Sequence, residues 1–278
     1  MEHLNEDRYM VAANQLNLLA PAPSAGVVYW KPDGYKLYSK LRDFIQRHHE
    51  CRGYLQVKSP SLVGANLLEQ SGHMQKYKEY IFMADEHHAM RPMSCPNHIH
   101  IYKSERRSYR ELPCRIFEFG DVYRNESSGA LQVLFRQRQF CQDDSHVFVS
   151  RDGIQQAVSE YLSMCAEVYK ELGFESVEYA LSLRPSERFG DDSDWDEAEN
   201  SLRAACIANG IAFSEQPGEG AFYGPKIELR VKDKLNRYWQ LGVIQLDYVL
   251  PKRFDLGFVN SGNHDECPVI LHHAVLGS

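Results

Sequence analysis

The segment from Arg115 to His146, RIFEFGDVYRNESSGALQVLFRQRQFCQDDSH, constrains this chain more than any other. It carries Arg124, Arg136 and Arg138, an acidic residue two places after the first of them (Glu126), and Gly129 at a turn, and it closes on Asp143-Asp144-Ser145-His146. Ile116, Phe117, Phe119, Val122 and Tyr123 before the turn, and Leu131, Val133 and Phe135 after it, alternate as two strands of a hairpin do. Such a hairpin projects guanidinium groups, whose planar forks fit phosphate oxygens bidentately, beside a carboxylate that accepts from an amine or hydroxyl. The pattern implies a polyphosphate held on strands, without the glycine-rich loop and helix end of a P-loop.

Composition narrows the class. A chain of 278 residues with 43% hydrophobic and 25% charged residues can bury a sizeable core, as one large domain or two small ones. No apolar run approaches the ~20 residues that span a bilayer. The start, MEHLNEDRYMVAANQ, is acidic and polar, unlike a signal or transit peptide. Seven cysteines, odd in number and with no CxxC pair, point to a reducing compartment, and a cytoplasmic location is expected. The net charge of −7 argues against a stand-alone nucleic-acid binder, whose affinity rests on neutralising phosphates. KSERRSYR and RVKDKLNR are local basic runs, and such runs are ordinarily solvated faces.

Residues 1–26 are polar and then Ala/Pro-rich, an expected arm or linker before a domain over 27–278. Leu37, Leu41, Phe44 and Ile45 mark one face of a helix over 34–50, followed by a strand at 54–57 that ends at Ser59-Pro60. Helices are expected again over 154–172 and 194–209, the first stopped by Gly173 and the second by Gly210. Strands are expected over 175–183, 221–231, 238–250 and 269–271. Consecutive strands with short links, separated by helices, suit an α+β fold with an antiparallel sheet flanked by helices.

Metal ligation is not legible from spacing. Cys95, His146 and His272 lie far apart in the chain, and no compact ligand motif is present. A lone cysteine is more often a buried, inert thiol, and a histidine more often a satisfied core residue.

The segment RNESSGALQVLFRQRQFCQDDSH closely resembles motif 2 of class II aminoacyl-tRNA synthetases, with Arg124-Asn125-Glu126 as the family's Arg-x-Glu, and in detail it resembles the threonyl-tRNA synthetases. The resemblance runs from about Val27 to the end, through PMSCPNHIHIY, LSLRPSERFGDDSDWDEAE, GEGAFYGPKIE, WQLGVIQLD and PVILHHAVLGS. It implies an ATP-dependent ligase that makes threonyl-adenylate and passes threonine to tRNA(Thr). It also implies a homodimer paired through motif 1, the helix, strand and proline between residues 34 and 60.

The same resemblance assigns residues. One zinc ion per chain would be held by Cys95, His146 and His272, leaving coordination open for the amino group and hydroxyl of threonine. Valine, nearly isosteric, offers no hydroxyl, and a site built for a hydroxyl rejects its absence strongly. Asp144 would take the threonine hydroxyl and Gln142 the amino group, with Tyr223, Gln245 and Met93 completing the substrate pocket. Arg124 and Arg136 would carry the catalytic phosphate contacts. Glu126 would lie near the adenine amino group and Phe140 under the adenine ring, with Lys226 and Gln240 lining the nucleotide site. Mg²⁺ is expected to accompany ATP.

The sequence departs from the family's pattern at Ser94, Asn97, Gln132-Val133, Gln139, Val243 and His273, around the pocket but not at the named ligands. It ends at Leu276-Gly277-Ser278, before the arginine of motif 3, so a truncated core lacking editing and anticodon-binding domains is expected. Two other readings stay open: a truncated paralogue that activates an amino acid for a non-tRNA acceptor, and a non-catalytic partner of a synthetase.

Overall fold

The computed structural model describes residues 10–132, 134–233 and 236–277. The elements used below are α1 (Pro32–Glu50), β1 (Leu55–Gln56), β2 (Leu62–Gly64), β3 (His88–Met90), α2 (Cys95–Lys103), β4 (Cys114–Tyr123), β5 (Gln139–Val149), α3 (Ile154–Glu171), β6 (Val177–Ser182), α4 (Asp192–Ala208), β7 (Phe213–Gln216), β8 (Lys226–Lys232), β9 (Tyr238–Asp247), α5 (Val249–Arg253) and β10 (Val269–Ala274).

Eight strands form one sheet in the order β7-β6-β8-β9-β10-β5-β4-β1. The pairings at its two ends, β7 with β6 and β1 with β4, are parallel, and the rest are antiparallel. The fold is therefore α+β, with an antiparallel-dominated sheet flanked by helices. A small hairpin of β2 and β3 stands beside it.

Strand alternation sorts the core onto two faces. Phe117, Val147, Val149, Leu271, Ile244 and Leu246 point toward α1, α3 and α4, where Ile45, Val158, Met164, Leu202 and Cys206 meet them. Ile116, Phe148 and Ile270 point the other way, toward α2 and α5, and meet Cys95, Ile99, Tyr102 and Leu250. Tyr102 of α2 stacks on Phe148 with ring centroids 4.1 Å apart, which fixes the helix over the centre of the sheet. Burying each such large apolar side chain contributes about 1.5–3 kcal/mol.

α1 starts with Pro32 in its first turn, where the missing N–H costs nothing, and ends with Arg47, His48 and His49 near the negative pole of the helix dipole. Of its expected apolar face, Ile45 is buried and Phe44 partly so, while Leu37 and Leu41 are 47% and 37% exposed. The segment before α1 is docked at several points: the Leu18 carbonyl accepts from Lys31 N–H and the Gly26 carbonyl from Arg138 N–H, both near 2.8 Å.

One expectation fails. Leu131 and Phe135 do not form the second strand of the hairpin; that strand is β5, which begins at Gln139. Val133 lies outside the described residues. In between, Ser128–Ala130 make a 3₁₀ turn and a single bridge joins Gln132 to Arg136. The apolar alternation there serves tertiary packing instead, since Phe135 stacks on Trp239 at 4.2 Å. The strand expected over 221–231 begins only at Lys226, after a bridge between Ala221 and Gly224. β9 stops at Asp247, whose Oδ1 accepts from Val249 and Leu250 N–H and so starts α5.

Candidate functional site

β5 delivers its even-numbered side chains, Gln142, Asp144 and His146, to the α2 face. β10 lies beside it with His272 directly opposite His146, and β9 continues the row with Gln245 opposite His272. Three neighbouring strands thus present His146, His272 and Gln245 at one level. α2 begins at Cys95 and lays that residue across them. The ligand atoms of Cys95, His146 and His272 all lie within 4.8 Å of one another, and all three residues are buried.

The ring nitrogens are divided in a telling way. His272 Nε2 is 2.8 Å from Asp247 Oδ2, and His146 Nδ1 is 2.7 Å from His98 Nδ1. The remaining nitrogens, His272 Nδ1 and His146 Nε2, are buried with no hydrogen-bond partner. A buried, unpaired ring nitrogen is costly unless something else takes its lone pair. Burial pushes the Cys95 thiol well above its usual range, and the charges of Asp144 and Asp247 push it further. Burial also holds His146 far below the ordinary histidine range, with His272 and His98 adding to the effect, so that its ring is neutral. One thiol and two neutral imidazoles with bare nitrogens are a donor set that fits a borderline-soft divalent cation such as Zn²⁺, which would displace the thiol proton. Three ligands leave at least one coordination position for a substrate.

The residues expected around a substrate lie close by. Asp144 Oδ2 accepts from Ser94 N–H at 3.2 Å, next to Cys95. The Tyr223 ring centroid is 5.1 Å from that of His272, and its hydroxyl donates to Gln245 Oε1. Met93 packs on the same apolar cluster as Cys95 and Tyr223, with its sulfur 3.3 Å from His73 Nε2.

The arginines form a second group at the loop end of the β4–β5 hairpin. Arg124 Nε donates to the Pro92 carbonyl at 3.2 Å, and its guanidinium lies 5.1 Å from the Phe140 ring centroid. Arg136 pairs with Glu126 through Nε and Nη2, at 3.2 and 2.9 Å. Arg138 donates to the Glu126 carbonyl and to Ser128. Glu126 and Arg136 therefore neutralise each other here, with both bonds falling on Glu126 Oε2.

Lys226 extends the first group's row onto β8, directly opposite Gln245, while Gln240 stands apart from both groups. Lys226 pairs with Glu228 at 2.6 Å. Gln240 is exposed, five residues from Gln245 along β9. It keeps the site-facing side only because Leu241 is an extra residue: Leu229 pairs with Gly242 and Arg230 with Gln240, a β-bulge that restores the alternation. At the bulge Gly242 faces the helices, and a Cβ there would lie 2.4 Å from the Tyr169 hydroxyl and 2.7 Å from that of Tyr161. Those hydroxyls donate to the Val275 and Ala274 carbonyls.

A cavity of about 580 Å³ lies away from the cysteine–histidine cluster. It lies between α1 and the β4–β5 hairpin, lined by Tyr38, Arg42, Phe119, Asp121 and Cys141 among others, with Phe140 in its wall.

Sequence reasoning missed the residues behind the cluster. His98 follows Cys95 by three positions, on the same helix face, a spacing that was available as a signal. Asp247 follows Gln245 by two positions, on the same strand face. Glu118 and Arg91 gave no local signal, because their partners come from distant segments.

The comparisons with known proteins agree with this geometry. The family model described as tRNA synthetase class II core domain (G, H, P, S and T) matches residues 80–278. The threonine–tRNA ligase of Gluconacetobacter diazotrophicus is 45% identical over 260 residues, covering 92% of this chain and 41% of that protein. That of Halorhodospira halophila is 44% identical over 258 residues, covering 92% and 40%. A solved structure described as the RNA binding domain of threonyl-tRNA synthetase from Cryptosporidium parvum Iowa II superposes with a TM-score of 0.94 at 40% identity, over 96% of this chain and 68% of that one. The chain spans about two fifths of the length of the curated relatives it matches. With a core-domain match over most of its length, and threonyl-tRNA synthetases among its relatives in both sequence and structure, the chain belongs to the class II tRNA synthetase core family, in its threonyl-tRNA synthetase branch.

Proposed function

We propose that the chain joins threonine to ATP, forming threonyl-adenylate and pyrophosphate, and passes the threonyl group to the 3′ end of tRNA(Thr). The observation that carries this reading is the buried Cys95–His146–His272 cluster with two unpartnered ring nitrogens, set beside Asp144 on the same sheet face. One Zn²⁺ per chain, held by those three residues, would supply Lewis-acid sites for the amino group and hydroxyl of threonine.

The chain's own residues account for the rest. Asp144 accepts the threonine hydroxyl proton and Gln142 holds the amino group. Tyr223, Gln245 and Met93 close the pocket around the substrate. The threonine carboxylate then attacks the α-phosphorus of ATP, and the bond to pyrophosphate breaks. Arg124 and Arg136 stabilise the charge that builds on phosphate oxygens in that step, which is where a preorganised donor lowers the barrier most. Phe140, beside Arg124, offers its ring to the adenine, and Glu126 its carboxylate to the adenine amino group. Lys226 and Gln240 border the nucleotide, and Mg²⁺ travels with the ATP phosphates. No covalent enzyme intermediate is needed.

Self-pairing through α1 is part of the reading. Tyr35, Leu37, Trp30 and Leu55 are large apolar residues left 41–67% exposed on α1 or just beyond its ends, surface available to a second copy of the chain.

Amino-acid-dependent ATP–pyrophosphate exchange on the zinc-loaded chain, with threonine, serine and valine in parallel, tests the proposal. Exchange strongest with threonine and absent with valine is the expected result. Equal exchange with valine would sink the metal-based selection, and no exchange from folded, zinc-loaded protein would sink the activity.

A further inference from the structure

The deepest unexplained feature of the site is a row of buried polar groups behind the metal cluster. His98 projects from α2 with its Nδ1 2.7 Å from His146 Nδ1, the two rings nearly perpendicular at a centroid distance of 4.7 Å. On its far side His98 Nε2 lies 3.3 Å from Glu118 Oε1. Glu118 is itself held by Arg91, Nη1 to Oε1 at 2.6 Å, and by the Ser59 hydroxyl and N–H. His98, Glu118 and Arg91 are each no more than 1% exposed.

Charge and donor rules point to one arrangement, in which His98 Nε2 approaches Glu118 at ion-pair distance rather than in a well-formed hydrogen bond. A carboxylate beside a buried guanidinium stays ionised and only accepts, so His98 must turn an N–H, not a lone pair, toward Glu118. That puts the His98 proton on Nε2 and leaves its Nδ1 as an acceptor. Two ring nitrogens 2.7 Å apart share one proton, so His146 carries it on Nδ1 and its Nε2 is bare. The opposite assignment aims a His98 lone pair at an ionised carboxylate 3.3 Å away, which is repulsive, and places a proton on His146 Nε2, on the side of Cys95 and His272. Asp144 Oδ1, at 3.8 Å from His146 Nδ1, is too far to take that proton instead.

We propose that His98 is a positioning residue for the metal centre: it accepts the Nδ1 proton of His146, with its own tautomer dictated by Glu118, and so keeps His146 Nε2 free to ligate. The proposal rests on the zinc reading above. It makes the two histidine ligands different in kind, because His272 is oriented by a carboxylate directly and His146 by a carboxylate one ring removed. Partners of this kind hold ligand orientation and tautomer, and their loss typically weakens metal binding by about 10- to 100-fold.

Two substitutions separate orientation from bulk. Asparagine places its Oδ1 where His98 has Nδ1, and glutamine places its amide where His98 has Nε2. Zinc affinity, measured by competition with a chromogenic chelator, is expected to fall about 10- to 100-fold in His98→Gln and to stay within about threefold of the parent in His98→Asn. Equal affinity in both variants, whether kept or lost, overturns the assignment. A second readout needs no variant at position 98: long-range ¹H–¹⁵N spectra of the zinc-free, ¹⁵N-histidine-labelled chain should show His146 as the Nδ1–H tautomer, its signal identified by loss in His146→Gln. An Nε2–H tautomer there overturns the proposal as well. A parent chain that takes up no zinc sinks the metal reading itself, and the tautomer then decides the role of His98 alone.

Discussion

His146 and His272 face each other as register partners on adjacent strands, yet each turns a different ring nitrogen toward the shared centre, Nε2 from the first and Nδ1 from the second. Strand pairing brings the two rings to 4.6 Å, and their outer hydrogen bonds choose which nitrogen is left over. Cys95 is the one member supplied from outside the sheet, which makes it the natural place to break the cluster.

Cys95→Ala should abolish stoichiometric zinc while leaving a folded chain, because the thiol is a small buried group whose loss leaves a modest cavity. Metal analysis of the purified variant, alongside its thermal transition, checks this. Zinc retained at one per chain would refute the assignment.

Asp247 divides its carboxylate between two tasks, with Oδ1 starting α5 and Oδ2 holding His272. In Asp247→Asn the amide oxygen can still start the helix while the charge behind His272 is gone. Zinc affinity should drop by about tenfold with little change in melting temperature. A large loss of stability with unchanged zinc affinity would contradict this division.

Arg124 sits against Phe140 and the Pro92 carbonyl at the loop end of the hairpin. Removing a donor that meets charge only as it develops costs on the order of 10²–10³ in rate. Arg124→Ala should lose that much in pyrophosphate exchange and retain its zinc. A loss below about threefold would remove Arg124 from the chemistry.

His49 predicts how the fold responds to acid. Burial lowers it to about 4, with the charges of His48 and Arg52 lowering it and its bond to the Ile45 carbonyl opposing them. Its neutral ring is stacked on Phe117 and accepts from or donates to Ser145. A histidine depressed in the folded state gives its full stability above about pH 6.5, and the fold loses it as pH falls toward 4. The loss is on the order of 3 kcal/mol. Urea unfolding at pH 7, 5.5 and 4.5 should show the decline, and His49→Gln should reduce its slope without abolishing it, because burial depresses His73, His146 and His273 as well. An equal slope in the variant would assign the effect elsewhere.

Gly242→Ala should destabilise the chain by about 1–3 kcal/mol, since its Cβ would intrude on two tyrosine hydroxyls that already bond the end of β10. Thermal unfolding measures it, and an unchanged melting temperature would mean the bulge can shift.

The sequence made some of this legible. Helix periodicity placed α1, α3 and α4 to within two residues, because each buries one stripe on the sheet. The hairpin was read correctly up to Tyr123 and wrongly beyond it, since alternation between residues 131 and 135 reports packing such as Phe135 on Trp239 and not ladder bonding. Cys95, His146 and His272 were reached only through family resemblance: their proximity is made by strand register, which local patterns do not carry. His98 and Asp247 escaped notice because their role lies in which atom they occupy on a neighbour.

The neighbours Asp143 and Asp144 carry the same side chain on opposite sides of one strand. Asp143 receives the N–H groups of Val275, Leu276 and Gly277, and burial pushes its carboxyl up to about 7 although those bonds pull it down. Asp144 looks at the cysteine–histidine cluster. A deletion or insertion of one residue anywhere between Gln139 and Asp143 would exchange the two environments for every residue before it. Length in this stretch is therefore constrained along with the side chains at Phe140, Gln142 and Asp143, and length variants here should be rare among functional descendants.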